Sequence, residues 1–396
     1  MYALKALVFL ASLLVFVEAG EHRVNRGAHR RHHARGAGVN RRSTCPKRTV
    51  SSSAVSATAA SASVVASSTH VSSSAVASSS KAASTKAATS SAVSSSSSHA
   101  SSTATKSSSS EKASATSNSL SSSLLTALFP VDTVTSWTTS SSSKDALTLS
   151  DSTLKPFKVL SALSHKYVQQ DGKTAMHAHY PKGSFNFQHT PLGGISFYAP
   201  GPDSLDITTA KELTFGYSVF FDSDFDFNKG GKLPGIYGGN SADKAISCSG
   251  GRRDDACFSA RLMWRTDGAG EMYTYLPPSY SANDNVCNVA PFSECNPTYG
   301  ASVGRGSFKF NKGDWTTVSE RIKLNDVGKE NGELELFVGG KSVLSATGLV
   351  LRDSSAGVMR GIQMQTFFGG SDSSWASPKD QDVYFADFSM AITEKL

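Results

Sequence analysis

The sequence predicts an all-β fold for the C-terminal part of the chain: an antiparallel β-sandwich or jelly roll with a substrate groove on one sheet. Three observations carry this. Apolar and polar residues alternate with period two in run after run beyond Leu154. Turn pairs such as Asp267-Gly268 and Asn331-Gly332 punctuate those runs. No stretch sustains the 3.6-residue period of a long helix, so no helices interleave with the strands.

The chain has 396 residues. Met1–Ala19 reads as a secretory signal: Lys5 gives a charged start, Ala6–Val17 an apolar run, and Val17-Glu18-Ala19 a small-residue cleavage site. The apolar run is shorter than the roughly 20 residues that a membrane span needs. Residues 20–48 form a basic leader with His29, His32 and His33, ending in the dibasic pair Lys47-Arg48. Dibasic pairs in secreted chains invite processing. Residues 49–125 are almost wholly Ser, Ala, Thr and Val, the composition of a disordered, O-glycosylated stalk. No Phe, Trp or Tyr occurs between Glu21 and Leu128. Without aromatics that part cannot bury enough apolar surface to offset its chain entropy. Residues 126–396 are left to fold, with the core expected from about residue 154. A secreted, extracellular protein follows, and the stalk is compatible with a cell-wall location.

Within the folding part the strands read in order. Leu213, Phe215, Tyr217, Val219 and Phe221 share one face. Val318, Glu320, Ile322 and Leu324 follow Trp315 on another strand. Leu334, Leu336 and Val338 precede a Gly339-Gly340 turn, and Val358–Phe368 and Val383–Met390 are two further runs.

The formal net charge is +7, but residues 21–50 alone carry +8 and residues 151–396 carry −3. Basic charge placed off the folded part argues against nucleic acid as a partner. No membrane partner is indicated, and a monomer is expected. Of five cysteines, Cys45 lies in the leader, and Cys248, Cys257, Cys287 and Cys295 lie in two close pairs. Secretion favours disulfides. Among the three connectivities, the short loops favour Cys248–Cys257 and Cys287–Cys295. The Cys-X2-Cys spacing of a zinc site is missing. No cofactor or metal is called for, although Asp222, Asp224 and Asp226 share a face and are compatible with a divalent cation.

The most informative stretch is Cys257–Pro277, read as a hairpin about Asp267-Gly268. Phe258, Ala260, Leu262 and Trp264 point one way; Ser259, Arg261, Met263 and Arg265 point the other. On the second strand Met272, Thr274 and Leu276 oppose Glu271, Tyr273 and Tyr275. With the turn centred near Gly268, Arg265 faces Glu271, Met263 faces Tyr273 and Arg261 faces Tyr275. One face is apolar, and the other gathers Ser259, Arg261, Arg265, Tyr273 and Tyr275 within cross-strand reach. A guanidinium matches a carboxylate bidentately. Tyrosine rings offer a stacking surface for sugars and a hydroxyl with a pKa near 10, which neighbouring cations lower. A cation–π ladder on an exposed face is the structural alternative. Upstream, glycines on both sides of Lys232 in Asn228–Gly239 let the backbone turn tightly and bring the lysine to a groove. An ordinary glycine-rich loop is the alternative there.

Five segments occur in order: YPKGSF (Tyr180–Phe185), KGGKLPG (Lys229–Gly235), FSARLMW (Phe258–Trp264), MYTYLP (Met272–Pro277) and FFGG (Phe367–Gly370). Together they resemble polysaccharide lyase family 14, which includes alginate lyases and polyglucuronate lyases of algal viruses, molluscs and fungi. The resemblance covers about Leu154–Leu396. It implies a β-jelly roll with the active site in a cleft, and a catalytic set of a Lys, a Ser-X-Arg pair and a Tyr-X-Tyr pair. These fall on Lys232, on Ser259 and Arg261, and on Tyr273 and Tyr275. The Cys248–Cys257 segment looks like an insertion. The implied reaction is β-elimination on an acidic polysaccharide, glucuronan- or alginate-like. Arg261, helped by Lys232, stabilises charge on the uronate carboxylate. Tyr273 and Tyr275 supply base and acid, with Lys232 an alternative base. Ser259, Arg265, Tyr180, Gln363 and Gln365 are expected to bind substrate.

Two rival readings stay open. A glycoside hydrolase needs two carboxyl groups flanking the bond, and Glu333 and Glu335 alternate on one strand face. A non-catalytic, lectin-like wall protein accounts for stalk and groove but not for Lys, Arg and two Tyr together. His177 and His179 alternate before Tyr180 and are read as packed or exposed in preference to groove-lining.

Overall fold

The computed structural model describes residues 121–396. The signal, the basic leader and nearly all of the stalk lie outside the described residues. Residues 121–128 are helical, with Ala127 and Leu128 buried. Residues 121–125, assigned above to the stalk, are therefore part of the folded domain. The Leu128 carbonyl accepts a hydrogen bond from Ser319 Oγ at 3.3 Å, which ties this helix to the sheet below it. Among the described residues no helix is long and apolar enough to cross a membrane.

Fourteen strands follow: β1 (Thr135–Thr138), β2 (Lys166–Gln170), β3 (Lys173–Tyr180), β4 (Ile195–Ala199), β5 (Ala210–Phe221), β6 (Gly230–Gly239) and β7 (Cys257–Arg265). Then come β8 (Ala269–Tyr275), β9 (Ala301–Lys309), β10 (Trp315–Lys323), β11 (Gly332–Val338), β12 (Lys341–Leu349), β13 (Val358–Phe368) and β14 (Gln381–Lys395). A back sheet runs β12-β11-β10-β5-β14-β3-β2, with β1 also on β14. A front sheet runs β4-β13-β6-β7-β8-β9. Every strand pairing is antiparallel. The expected sandwich is present, and its core starts before residue 154: Trp137 of β1 and Leu149 are buried in it.

Period-two alternation sets which residues meet between the sheets. Leu213, Phe215, Tyr217, Val219 and Phe221 of β5 point inward, as do Val318 and Ile322 of β10 and Leu334 and Leu336 of β11. From the front sheet come Phe258, Ala260, Leu262 and Trp264 of β7, Met272 of β8, and Ile362 and Met364 of β13. Each of the larger aliphatic and phenylalanine side chains contributes roughly 1.5–3 kcal/mol on leaving water. Trp264 is the largest of them. Its Nε1 donates to the Phe227 carbonyl at 3.1 Å, and its ring meets Tyr180, Phe221, Phe225 and Phe368 edge-on.

The β7–β8 hairpin keeps its predicted faces but not its predicted register. Ser259 pairs with Tyr275, Arg261 with Tyr273, and Met263 with Glu271. The turn at Thr266–Gly268 places Asp267 in the left-handed region (φ 57), so it centres one residue earlier than expected. Moving the centre by one residue slides the pairing by two, which preserves the face of every side chain. Both disulfides form as paired from spacing, Cys248–Cys257 and Cys287–Cys295.

Candidate active site

The front sheet brings Lys232, Arg261, Tyr273 and Tyr275 onto neighbouring strands, and β6 is shaped to place its lysine there. Gly231 lies under Trp264, where a Cβ would come within 2.1 Å of the indole. At Gly235 a Cβ would meet the Ala260 carbonyl at 2.1 Å and Arg261 Cα at 2.5 Å. Only glycine lets β6 lie this close to β7. Between them the register breaks: Lys232 pairs with Met263 and Gly235 with Arg261, leaving a bulge at Leu233-Pro234. Two back-sheet side chains reach across the core to hold that bulge. Tyr217 donates its hydroxyl to the Pro234 carbonyl at 3.2 Å, and Glu320 Oε1 accepts the Ile236 N–H at 2.7 Å.

Glu320 sits among the inward apolar residues of β10 and is 1% exposed, and its Oε2 has no hydrogen-bond partner. Burial holds its pKa well above the ordinary carboxyl value. A carboxyl raised in this way stabilises the fold fully below its unfolded pKa of about 4.3 and loses that contribution as pH rises toward the folded value. Glu320→Gln keeps the acceptor for Ile236 but cannot ionise. We expect its melting temperature to gain on the wild type progressively as pH rises above about 5. A pH-independent difference between the two proteins contradicts this account.

Lys232 leaves the bulge and lies across the neighbouring strands. Its Nζ is 3.8 Å from the centroid of the Tyr273 ring and 2.8 Å from Met263 Sδ. Burial, then the charges of Arg261 and Arg265, push its pKa well below the ordinary lysine value, against a smaller opposing pull from Glu271. Arg261 is 2% exposed. Its Nη1 donates to Gln365 Oε1 at 3.2 Å, and its Nε has no hydrogen-bond partner. Among the described ion pairs none involves Arg261. Gln365 donates onward to Ser196 Oγ at 3.2 Å, and Gln363 donates to Gln365 Oε1 at 2.8 Å.

Both tyrosine hydroxyls accept backbone N–H groups: Tyr273 from Gly300 at 3.1 Å, Tyr275 from Gly251 at 3.0 Å. The two rings meet edge to face, 5.8 Å between centroids. The expectation that cations lower the tyrosine pKa fails at Tyr273. Burial and the adjacent Tyr275 raise it, outweighing Arg261 and the Gly300 N–H.

Three expected substrate-binding residues have other occupations. Tyr180 is fully buried in the core, its hydroxyl hydrogen-bonded to Thr366. β3 belongs to the back sheet, and alternation turns its last residue inward. Ser259 is also buried, donating Oγ to the Cys248 carbonyl at 2.7 Å; it anchors the disulfide loop. Arg265 is held by Glu271, with Nη2 at 2.6 Å from Oε1. Arg305 takes the other oxygen of that carboxylate at 2.9 Å and also reaches Glu294 at 3.3 Å, so Glu271 is a strut held between two guanidiniums. Gln363 and Gln365 do lie beside Arg261. Ser196 and Tyr198 of β4 join them and were missed, although "ISFYA" alternates in a way that puts both on the outward face.

The rival constellations lie elsewhere. Glu333 and Glu335 both pair with Arg321, on the back sheet. His177 and His179 share Asp382 Oδ1 at 2.7 and 2.8 Å on the outer side of that sheet. Asp224 pairs with Lys379, and Asp226 accepts the Asn228 N–H at 2.8 Å. They line a hollow of about 680 Å³ that shares no residue with the Lys232 cluster. Among the described residues no group of three or more His, Cys, Asp or Glu is arranged to hold a metal ion.

Comparison with known proteins places the chain in a family. A family profile described as Polysaccharide lyase 14 matches residues 168–388. The chain belongs to polysaccharide lyase family 14. The crystal structure of a family 14 alginate lyase from Aplysia kurodai is 32% identical, covers 66% of this chain and 100% of its own, and superposes with a TM-score of 0.56. An alginate lyase from a Chlorella virus is 25% identical over 66% of this chain and 100% of its own, with a TM-score of 0.52. No curated protein sequence matches. Membership of a polysaccharide lyase family answers the lectin reading as well as the hydrolase one.

Proposed function

We propose that this lyase cleaves a uronic-acid polymer, glucuronan- or alginate-like, by β-elimination. The observation that carries the reading is Arg261, a buried guanidinium with no protein carboxylate and an unpartnered Nε. An uncompensated buried cation is costly. A uronate carboxylate supplies the missing anion and both acceptors of a bidentate pair.

The chemistry then distributes over the neighbours. Lys232, its pKa depressed, has neutral amine available to take the C5 proton. The electron pair left at C5 delocalises into the carboxylate, where Arg261 stabilises it. The C4–O4 bond breaks, a C4–C5 double bond forms, and O4 leaves with a proton. Tyr273 supplies that proton: its raised pKa keeps it protonated. The Gly300 N–H is in place to stabilise the phenolate that remains. Solvent then returns a proton to Tyr273 and takes one from Lys232, which closes the cycle. Tyr275, bonded to Gly251, buttresses Tyr273 edge-on.

Assay of the purified protein against a panel of polyuronates tests this. We expect ultraviolet-absorbing unsaturated ends from at least one of them; absence of such product from all contradicts the reading. Secretion is part of the same proposal. The signal-like Met1–Ala19 and two disulfides support it. The stalk and leader then serve placement, not chemistry. Removing residues 20–120 is expected to leave rates on a soluble substrate largely intact, and a large loss would bring the basic leader into the mechanism.

A further inference from the structure

Residues 151–396 carry a formal charge of −3, yet their substrate is read as a polyanion. Attraction must therefore be local, and the site's own cations supply little of it at the surface. Arg261 is buried, Arg265 is engaged by Glu271, and the Lys232 ammonium lies half-buried against Tyr273 and Met263. The loop between Cys248 and Cys257 supplies two more. Arg252 and Arg253 are both exposed at its tip.

This loop is built against the site. The disulfide closes it, Ser259 Oγ grips its Cys248 carbonyl, and its Gly251 N–H donates to the Tyr275 hydroxyl at 3.0 Å. Arg252 is close enough to oppose the rise that burial causes in the Tyr198 pKa, and Tyr198 accepts a hydrogen bond from Gln363 beside Arg261. The loop's own acids are engaged elsewhere: Asp254 pairs with Lys244 at 2.7 Å, and Asp255 accepts the Ser279 N–H at 2.9 Å. Neither arginine has a carboxylate partner among the described ion pairs. Arg252 uses Nε on the Ser247 carbonyl and Nη2 on Ser249 Oγ; Arg253 uses Nη1 on the Asn296 carbonyl. A guanidinium has five donors, so both retain donors for an anion. These bonds hold the guanidinium groups at the loop, which lowers the entropy lost on binding.

We propose that the disulfide-tied loop Cys248–Cys257 is a further substrate subsite, in which Arg252 and Arg253 hold carboxylates of uronate sugars flanking the one being cleaved. The proposal rests on the β-elimination reading above and deepens it. A polyuronate repeats its carboxylate on successive sugars, so a chain seated with one carboxylate on Arg261 carries others past the loop.

The test is steady-state kinetics of the full chain on a soluble polyuronate at low and high salt. Arg252→Gln/Arg253→Gln is expected to raise KM about five- to tenfold at low salt, with the loss falling on KM more than on kcat. Added salt screens exposed charges, so the gap between variant and wild type closes as salt rises. Arg252→Lys/Arg253→Lys keeps the charge and recovers part of the loss. Each single glutamine variant shows part of the rise, which keeps the proposal testable should the double variant fold poorly. An unchanged KM with the wild-type salt response overturns the loop subsite while leaving the lyase reading intact. A wild type inactive on every polyuronate overturns that reading itself.

Discussion

Lys232→Met will lower kcat on a polyuronate by about 10²–10⁴-fold, the usual contribution of a positioned proton-transfer group. It will do so without loss of stability. Methionine fills the space against Tyr273 and Met263 and removes a cation that burial and Arg261 disfavour. The sign of the pH effect is fixed. The folded pKa lies below the unfolded value of about 10.4, so the penalty of the charged lysine is fully present below the folded pKa and is relieved as pH rises toward the unfolded one. At neutral pH the variant should therefore melt at or above the wild-type temperature. In the wild type kcat/KM should rise with pH through an apparent pKa well under that of an ordinary lysine, as neutral amine accumulates. Lys232→Met should lack that limb. A variant that is both active and destabilised contradicts Lys232 as the base.

Arg261→Met should cost about 10²–10³-fold in kcat/KM, the scale for removing a preorganised stabiliser of developing charge. Arg261→Lys recovers only part, since an ammonium cannot form the two parallel bonds of a guanidinium. Thermal stability should again hold or rise, because the native protein provides no carboxylate for this arginine. Measuring melting temperature beside rate separates this outcome from unfolding. A structural arginine would lose both together. Sites that cost stability in the unliganded protein are where function and fold compete.

The parts of this fold governed by parity were readable in the sequence. Alternation marked β5, β10, β11 and β13, and it placed Arg261, Tyr273 and Tyr275 on one face although the hairpin register was two residues off. The error came from the turn: Asp267-Gly268 signals a reversal but does not reveal that Asp267 itself takes the left-handed conformation. Depth was less legible. Tyr180 and Ser259 bear polar groups that suit a groove, and nothing local reveals that one faces the aromatic core and the other lies under a disulfide loop. Glu320 did leave a signal. It stands where Val318 and Ile322 mark an inward face, and an inward carboxyl needs a partner. That partner, the Ile236 N–H, is supplied from the opposite sheet at a bulge that no single strand's pattern contains. The pKa shifts at Lys232 and Tyr273 are products of the same depth, which is why local charge alone mispredicted the tyrosine.

The most direct test digests glucuronan and alginate in heavy-oxygen water and weighs the products, with Lys232→Met run in parallel. Elimination by this site predicts unsaturated ends free of solvent oxygen from the wild type, and almost no product from the variant. Products one water heavier, with saturated non-reducing ends, or elimination at the wild-type rate by Lys232→Met, would contradict it.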